Sequence, residues 1–250
     1  VEVDEYMLKK TIVITGAGMG IGAATARRLA PGNRLILQYH TSKTDVLALQ
    51  EELAPVSAGV DVVEADLTSD VGCTALFEEI AKHTDILDVL VNNAGGMIER
   101  QLVDNLAWDH LAATFALNTF SAMRLTGLCT PLLRKGSHPC VINMTSIAMR
   151  HGAPTATAYG ASKAAMDAFT RGAANELAPH IRVNAVSPGI IDTRFHERVT
   201  SAEKMKQFIE NTPLKRTGTV EDVARTVEYL IDSTFVTGET IDCNGGLFMR

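Results

Sequence analysis

The stretch that decides the fold is Thr11-Ile12-Val13-Ile14-Thr15-Gly16-Ala17-Gly18-Met19-Gly20-Ile21-Gly22. Its first five residues are β-branched and read as a buried strand. Four glycines follow within seven positions, and Ala23 to Ala30 then reads as a helix. A strand, a glycine-rich turn and a helix in that order let the backbone approach a pyrophosphate closely. They also aim the free N–H groups and partial positive charge of the helix N-terminus at it. A bare glycine turn would need no such placement between a strand and a helix. The spacing predicts a dinucleotide site that includes Gly16, Gly18, Met19, Gly20, Ile21 and Gly22.

Outward from this loop, short apolar runs alternate with helix-length segments. Leu35 to Leu37, Val60 to Val63, Val89 to Val91, Val141 to Asn143 and Arg182 to Val186 read as further buried strands, with a last short one near Thr240-Ile241. This alternation predicts βαβ units, and hence an α/β fold: one Rossmann-type, doubly wound parallel sheet with helices on both faces. No repeat, low-complexity tract or linker divides the 250 residues, so residues 1–250 read as a single domain. Residues 190–218 form a long polar segment interrupted by Pro213, which suits a lid over a substrate. Val1 to Tyr6 reads as an added leader if Met7 is the native start.

Composition narrows the function. Hydrophobic residues make up 46% of the chain and the net charge is −6, with acids and bases interspersed. That balance argues against nucleic acid as a main partner. No apolar run approaches the roughly 20 residues that span a bilayer. The acidic start is unlike a secretory leader. Cys73, Cys129, Cys140 and Cys243 form no CxxC pair, so no metal site and a reduced, cytoplasmic setting are expected.

The loop is spaced T-G-x-x-x-G-x-G, and from here the chain resembles the classical short-chain dehydrogenase/reductase family over nearly its whole length. Asp66-Leu67 follows the third strand. Asn92-Asn93-Ala94-Gly95 ends the fourth, and Asn118 stands at a helix position. Ser146 follows the fifth strand, Tyr159 and Lys163 lie four apart, and Pro188-Gly189 follows the sixth. The order and spacing of these motifs are more specific than any one of them. The resemblance implies hydride transfer between a nicotinamide and a ketone or secondary alcohol, as in 3-oxoacyl-thioester reductases and polyol dehydrogenases. It assigns catalysis to Asn118, Ser146, Tyr159 and Lys163. Cofactor contacts fall to Asp66, Leu67, Asn93, Ala94, Gly95, Tyr159, Lys163, Pro188, Gly189, Ile191 and Thr193. Asn118 rests on the resemblance alone, because locally it is only a polar interruption in a helix.

The residues themselves can do this chemistry. Tyr159 and Lys163 share one helix face. A cation about 4 Å from a phenolate offers roughly 4 kcal/mol at an effective dielectric near 20, which would pull a tyrosine well below its usual value. Ser146, just past a strand end, can donate to a substrate oxygen. A nucleophilic serine fails on context, since there is no G-x-S-x-G. An epimerase or dehydratase of the extended relatives would be a longer chain. A redox-sensing regulator without catalysis would not need Ser146, Tyr159 and Lys163.

For the cofactor, Tyr39 stands where NAD-using relatives carry Asp, and His40, Thr41, Ser42 and Lys43 could receive a 2′-phosphate. Met19 at an often basic loop position, and the lack of an Arg after the strand, weigh the other way. The balance favours NADP over NAD. Substrate contacts are expected in residues 96–98, 149–153 and 190–208. His151 and His196 read as wall or surface residues and Trp108 as packing. By resemblance, the helices through Asn105–Leu133 and Thr157–Leu177 pair with copies in a homotetramer. The second is rich in small residues: Ala161, Ala164, Ala165, Ala168, Gly172, Ala173 and Ala174.

Overall fold

The computed structural model describes residues 9–193 and 201–249. Its centre is a seven-stranded, all-parallel sheet in the order β3-β2-β1-β4-β5-β6-β7. The strands are β1 Thr11–Ile14, β2 Arg34–Tyr39, β3 Gly59–Glu64, β4 Val89–Asn92, β5 Cys140–Met144, β6 Arg182–Pro188 and β7 Thr240–Cys243. Each strand expected from the sequence is present, but β2 runs on through Gln38 and Tyr39. Those two residues therefore alternate between the sheet's two sides and do not form a loop.

Parallel strands need crossovers, and helices cover both faces. They are α1 Gly20–Leu29, α2 Lys43–Leu53, α3 Asp70–His83, α4 Trp108–Phe115, α5 Ser121–Leu133, α6 Ala148–His151, α7 Thr157–Leu177, α8 Ala202–Asn211 and α9 Val220–Asp232. Alternation along β1 divides the core. Ile12 and Ile14 pack with Leu29, Leu49, Val227 and Leu230 on one side, while Val13 packs with Leu76, Leu125, Leu133 and Val183 on the other. All three β1 side chains are fully buried, which explains their β-branched run.

The helix expected over Asn105–Leu133 is not continuous. A π-turn at Ala116–Phe120 joins α4 to α5 and carries Asn118. Such turns break the i→i+4 ladder and recur at functional sites. Trp108, expected to pack, is 79% exposed. It sits at the start of α4, whose buried contact in the single chain is Thr114, so the indole has no core to enter. The second helix spans Thr157–Leu177 as expected. Ala173 and Ala174 face the core, whereas Ala161, Ala164, Ala168 and Gly172 are exposed along one stripe. No described helix is long and apolar enough to cross a membrane.

Candidate active site

Ligands in open parallel sheets bind beyond the carboxyl ends of the strands, where the connections diverge to opposite faces. Here β1 and β4 are the neighbours at that divergence, and a cavity of about 1210 Å³ opens there. It runs from the β2 edge to α8.

The glycine loop forms one wall. Thr15 Oγ1 accepts from the N–H groups of Asn93 (3.0 Å) and Ala94 (2.9 Å), and Asn93 Nδ2 donates to the carbonyls of Thr15 (2.9 Å) and Gly16 (3.0 Å). Gln38, which sequence reasoning missed, holds the loop from the other side. Its Oε1 accepts from Gly16 N at 2.8 Å and its Nε2 donates to Ala65 O at 2.7 Å. Gly22 does not line the cavity; a Cβ there would run into the Gly16 carbonyl and Asn93 Nδ2. Gly18 is likewise held off the cavity against Ser42. These two glycines are therefore required by packing inside the protein. Gly16, Met19, Gly20 and Ile21 face the cavity.

Helix α1 starts here with neither a side-chain cap at Met19 nor an acid in its first turn. Its first N–H groups are thus left for an external acceptor, as a pyrophosphate site requires.

At the β2 edge, His40, Thr41 and Ser42 line the cavity, as do Asp66, Leu67 and Thr68. Thr68 donates to Asp66 Oδ1 from its N–H (3.0 Å) and hydroxyl (2.8 Å), and these bonds hold the carboxyl below its usual range. Tyr39 is displaced from the expected role. It is 5% exposed, packs in the core, and donates its hydroxyl to Glu64 Oε2 at 2.9 Å, a bond that raises its pKa. The reason is the added strand length: β2 alternation sends Gln38 and His40 to the cavity and Tyr39 away. Tyr39→Asp is therefore expected to bury a carboxylate beside Glu64 and lower the Tm by several degrees, at roughly 2–4 °C per kcal/mol for a chain of this size. His40→Asp places the new charge in the cavity. A thermal melt of both variants checks the contrast.

The centre of the cavity is built from β5 and α7. Ser146 sits just beyond β5, its Oγ accepting from Ala148 N at 3.2 Å, and it lies near enough to the Tyr159 hydroxyl to favour the ionised phenol. Lys163 is buried one turn along α7 from Tyr159. Its ammonium donates to the Met144 carbonyl at 2.8 Å and lies 6.0 Å from the Tyr159 ring centre. Burial brings Lys163 down to about 8, so it remains largely protonated at neutral pH. Burial also raises the Tyr159 pKa, against the opposing influence of Ser146. The polypeptide alone thus does not lower the phenol as the sequence led us to expect. The ammonium is turned to a backbone carbonyl, and the phenol is desolvated.

Asn118 lies behind this centre and does not line the cavity. Its side chain is committed to backbone: Nδ2 donates to Gly96 O and Thr114 O at 2.9 Å, and Oδ1 accepts from Gly96 N at 2.8 Å. A Cβ at Gly95 would lie 2.8 Å from Asn118 Oδ1 and 2.9 Å from Lys163 Nζ, so the Asn93-Ala94-Gly95 turn, Asn118 and Lys163 interlock.

At the far end, Gly96, Met97, Ile98, His151, Ala153, Ile190, Ile191 and Thr193 line the cavity, as do Pro188 and Gly189. Met149 and Arg150 do not. Arg150 pairs with Asp242 at 3.3 Å and lies over the Phe248 ring. Lys204 and Phe208, from the expected substrate segment, and Asn211, from the expected lid, join the lining; so do Arg100 and Leu247, which no local motif marks. The strand topology alone gathers these distant segments. Arg194, Phe195 and His196 lie outside the described residues.

The fold and cavity define a dinucleotide-dependent oxidoreductase. Residues 16–248 match the family model described as enoyl-(acyl carrier protein) reductase. An uncharacterized oxidoreductase of Methylorubrum extorquens is 34% identical over 244 residues, covering 95% of this chain and 97% of that protein. The 3-oxoacyl-[acyl-carrier-protein] reductase FabG of Staphylococcus epidermidis is 32% identical over 248 residues, covering 97% and 100%. Among solved structures, an NADH-dependent reductase responsible for alginate metabolism superposes with a TM-score of 0.89 at 30% identity, covering 98% of this chain and 99% of that one. A Burkholderia cenocepacia short-chain dehydrogenase in complex with NADP gives 0.89 at 27%, covering 97% and 99%. The chain belongs to the short-chain dehydrogenase/reductase family and is an NAD(P)-dependent enzyme of that family.

Proposed function

We propose that this enzyme transfers a hydride between nicotinamide and a ketone or secondary alcohol, with Tyr159 as proton donor and acceptor. The observation that carries the reading is that Ser146, Tyr159 and buried Lys163, one helix turn from Tyr159, line the same cavity as the uncapped α1 N-terminus. The bound nicotinamide supplies or accepts the hydride. In the reducing direction, Tyr159 gives its hydroxyl proton to the carbonyl oxygen as that oxygen gains charge. Ser146 donates to the same oxygen and fixes its position. Lys163 keeps a positive charge close enough to favour the phenolate left behind, and Asn118 positions the turn that carries Gly96. Oxidation reverses each proton step. Within the 190–218 segment, the described helix α8, which lines the cavity through Lys204, Phe208 and Asn211, serves as a cover for the substrate. Absorbance of the reduced nicotinamide with a panel of ketones, sugars and 3-oxoacyl thioesters tests the reading. Absence of any carbonyl-dependent oxidation of NADPH or NADH would overturn it.

NADP is the preferred cofactor in this reading. His40, Thr41 and Ser42 line the β2 edge without a carboxylate, and the acid in that half, Asp66, is engaged by Thr68. His40→Asp is expected to shift the NADP-to-NAD ratio of kcat/KM at least about tenfold towards NAD, since like charges brought together cost several kcal/mol. An unchanged ratio would defeat the preference.

The working form is a homotetramer in a reduced, cytoplasmic setting. Val103, Trp108 and Phe120 are 71%, 79% and 56% exposed, and a Cβ on Gly127 of α5 or Gly172 of α7 would meet open space. Exposed apolar groups beside a small-residue stripe suit close approach of another copy. Light scattering should give about four times the 26.9 kDa chain mass. A mass near one chain at micromolar concentration would refute the assembly.

A further inference from the structure

We propose that the substrate carries an anionic group, a carboxylate or a phosphate monoester, at the end remote from its carbonyl. The inference rests on the oxidoreductase reading above and names the substrate class of that site.

The cavity has two unlike ends. Beside Tyr159, Met97, Ala148, Ala153 and Ala156 form a small apolar cluster that includes the tyrosine ring. Beyond it the wall turns polar and cationic. Arg100 and His151 are exposed and Lys204 is half-buried, and all three line the cavity. Among the described residues lining this half there is no Asp or Glu; Asp66, the acidic lining residue, lies at the β2 end. The whole chain carries a net charge of −6, so basic side chains with no acid among the described lining residues of this half run against the overall charge. A cleft lined by one sign of charge between low-dielectric walls concentrates the opposite sign.

The three groups are held in place. Arg100 Nη1 donates to Thr155 Oγ1 at 2.9 Å, and the Gln101–Ala156 bridge ties the same segment to the loop before α7. The Lys204 ammonium lies 5.9 Å from the centre of the Phe208 ring, which also lines the cavity. Lys206, on the same helix, is 80% exposed and pairs with Glu210 instead. His151 Nδ1 accepts from Ala153 N at 3.1 Å, so a neutral imidazole carries its hydrogen on Nε2 and is a donor in either charge state. The acids adjacent in sequence, Glu99 beside Arg100 and Glu203 beside Lys204, do not line the cavity; Glu99 accepts from Gln101 and faces His110 at 3.8 Å, and Glu203 is engaged at the start of α8 by Ser201. With the carbonyl at Ser146 and Tyr159, the apolar cluster beside the phenol and the basic side chains elsewhere on the wall suit a substrate that is apolar next to its carbonyl and anionic farther out.

Substrate pairs that differ in charge test this. With the reduced nicotinamide as donor, kcat/KM is measured for 5-oxohexanoate and its methyl ester. The second pair is acetoacetyl pantetheine with and without its 4′-phosphate. At least one charged member should exceed its neutral partner about tenfold or more, and the pair that does so identifies carboxylate or phosphate as the anion. Lys204→Met and Arg100→Met should each cut that ratio several-fold, and Lys204→Arg should retain it. Equal kcat/KM within each pair, or a ratio unmoved in both methionine variants, would overturn the anion site while leaving the reductase reading intact. Calorimetry with 5-oxohexanoate and with the phosphorylated thioester on the NADP-loaded enzyme separates the opposite failure. Binding weakened by Lys204→Met but never followed by turnover would support the cationic rim and sink the reductase reading. Neither binding nor turnover of any charged probe would overturn the anion site, and if the neutral partners also failed to oxidise the reduced nicotinamide the reductase reading would fall with it.

Discussion

Tyr159→Phe is expected to lower kcat by about a hundredfold or more with little change in cofactor affinity. The substitution removes one hydroxyl and leaves the ring, so the apolar cluster with Met97, Ala148, Ala153 and Ala156 is kept. What is lost is the proton that must reach the carbonyl oxygen, a contribution typically worth 10²–10⁴-fold. Ser146 keeps its bond from Ala148 N, so the strand end should not rearrange. Turnover by absorbance, with cofactor binding by fluorescence titration, checks both halves. Near-normal kcat would remove Tyr159 from the mechanism. Equal loss of cofactor binding would make its role structural.

Lys163→Met is expected to raise the cofactor KM and lower kcat, each at least about tenfold, while leaving the Tm within a few degrees. The first part follows from position. The ammonium lies against Gly95 in the turn after β4 and one helix turn from Tyr159, so it serves both the dinucleotide wall and the phenol. The second part follows from burial. Desolvation has already brought Lys163 down to about 8, which means that the folded protein disfavours its charge. Replacing a buried cation with a flexible apolar chain of similar length removes that penalty, and sets against it one carbonyl, that of Met144, left without its donor. A functional loss without a stability loss separates a chemical role from a packing role. If only the KM for the carbonyl substrate changed, the link to the cofactor would be wrong. If the protein unfolded, the lysine would be a structural group.

The reading of the residues and the geometry of the chain agree most closely where a motif is local. The strand–glycine loop–helix unit is set by backbone chemistry over twelve residues, so β1, its turn and α1 were legible from order alone. The seven strands were legible because parallel strands are buried on both faces and read as continuous β-branched runs. Tyr159 and Lys163 were legible as one face of a helix because their spacing is fixed by the helix itself.

Other features needed three dimensions. The strand β2 runs on through Tyr39 and turns it from the cavity to the core, while Gln38 on the opposite side contacts the glycine loop. Side-chain direction in a strand inverts with each residue, so one boundary error reverses every assignment beyond it. The π-turn under Asn118 has no local sequence mark; it arises where α4 and α5 meet α7, and it commits the asparagine side chain to Gly96 and Thr114. The pKa values of Tyr159 and Lys163 depend on how much water the folded chain excludes and where the ammonium points, which no spacing encodes. The cationic rim joins Arg100, His151 and Lys204, more than a hundred positions apart at its extremes, through crossover connections alone. The sequence by itself determined the class of fold, the glycine loop between β1 and α1, and the placing of Tyr159 and Lys163 one helix turn apart, because each depends on neighbours along the chain. Which side chains reach the cavity, and with what charge, was decided by tertiary structure, because that depends on neighbours in space.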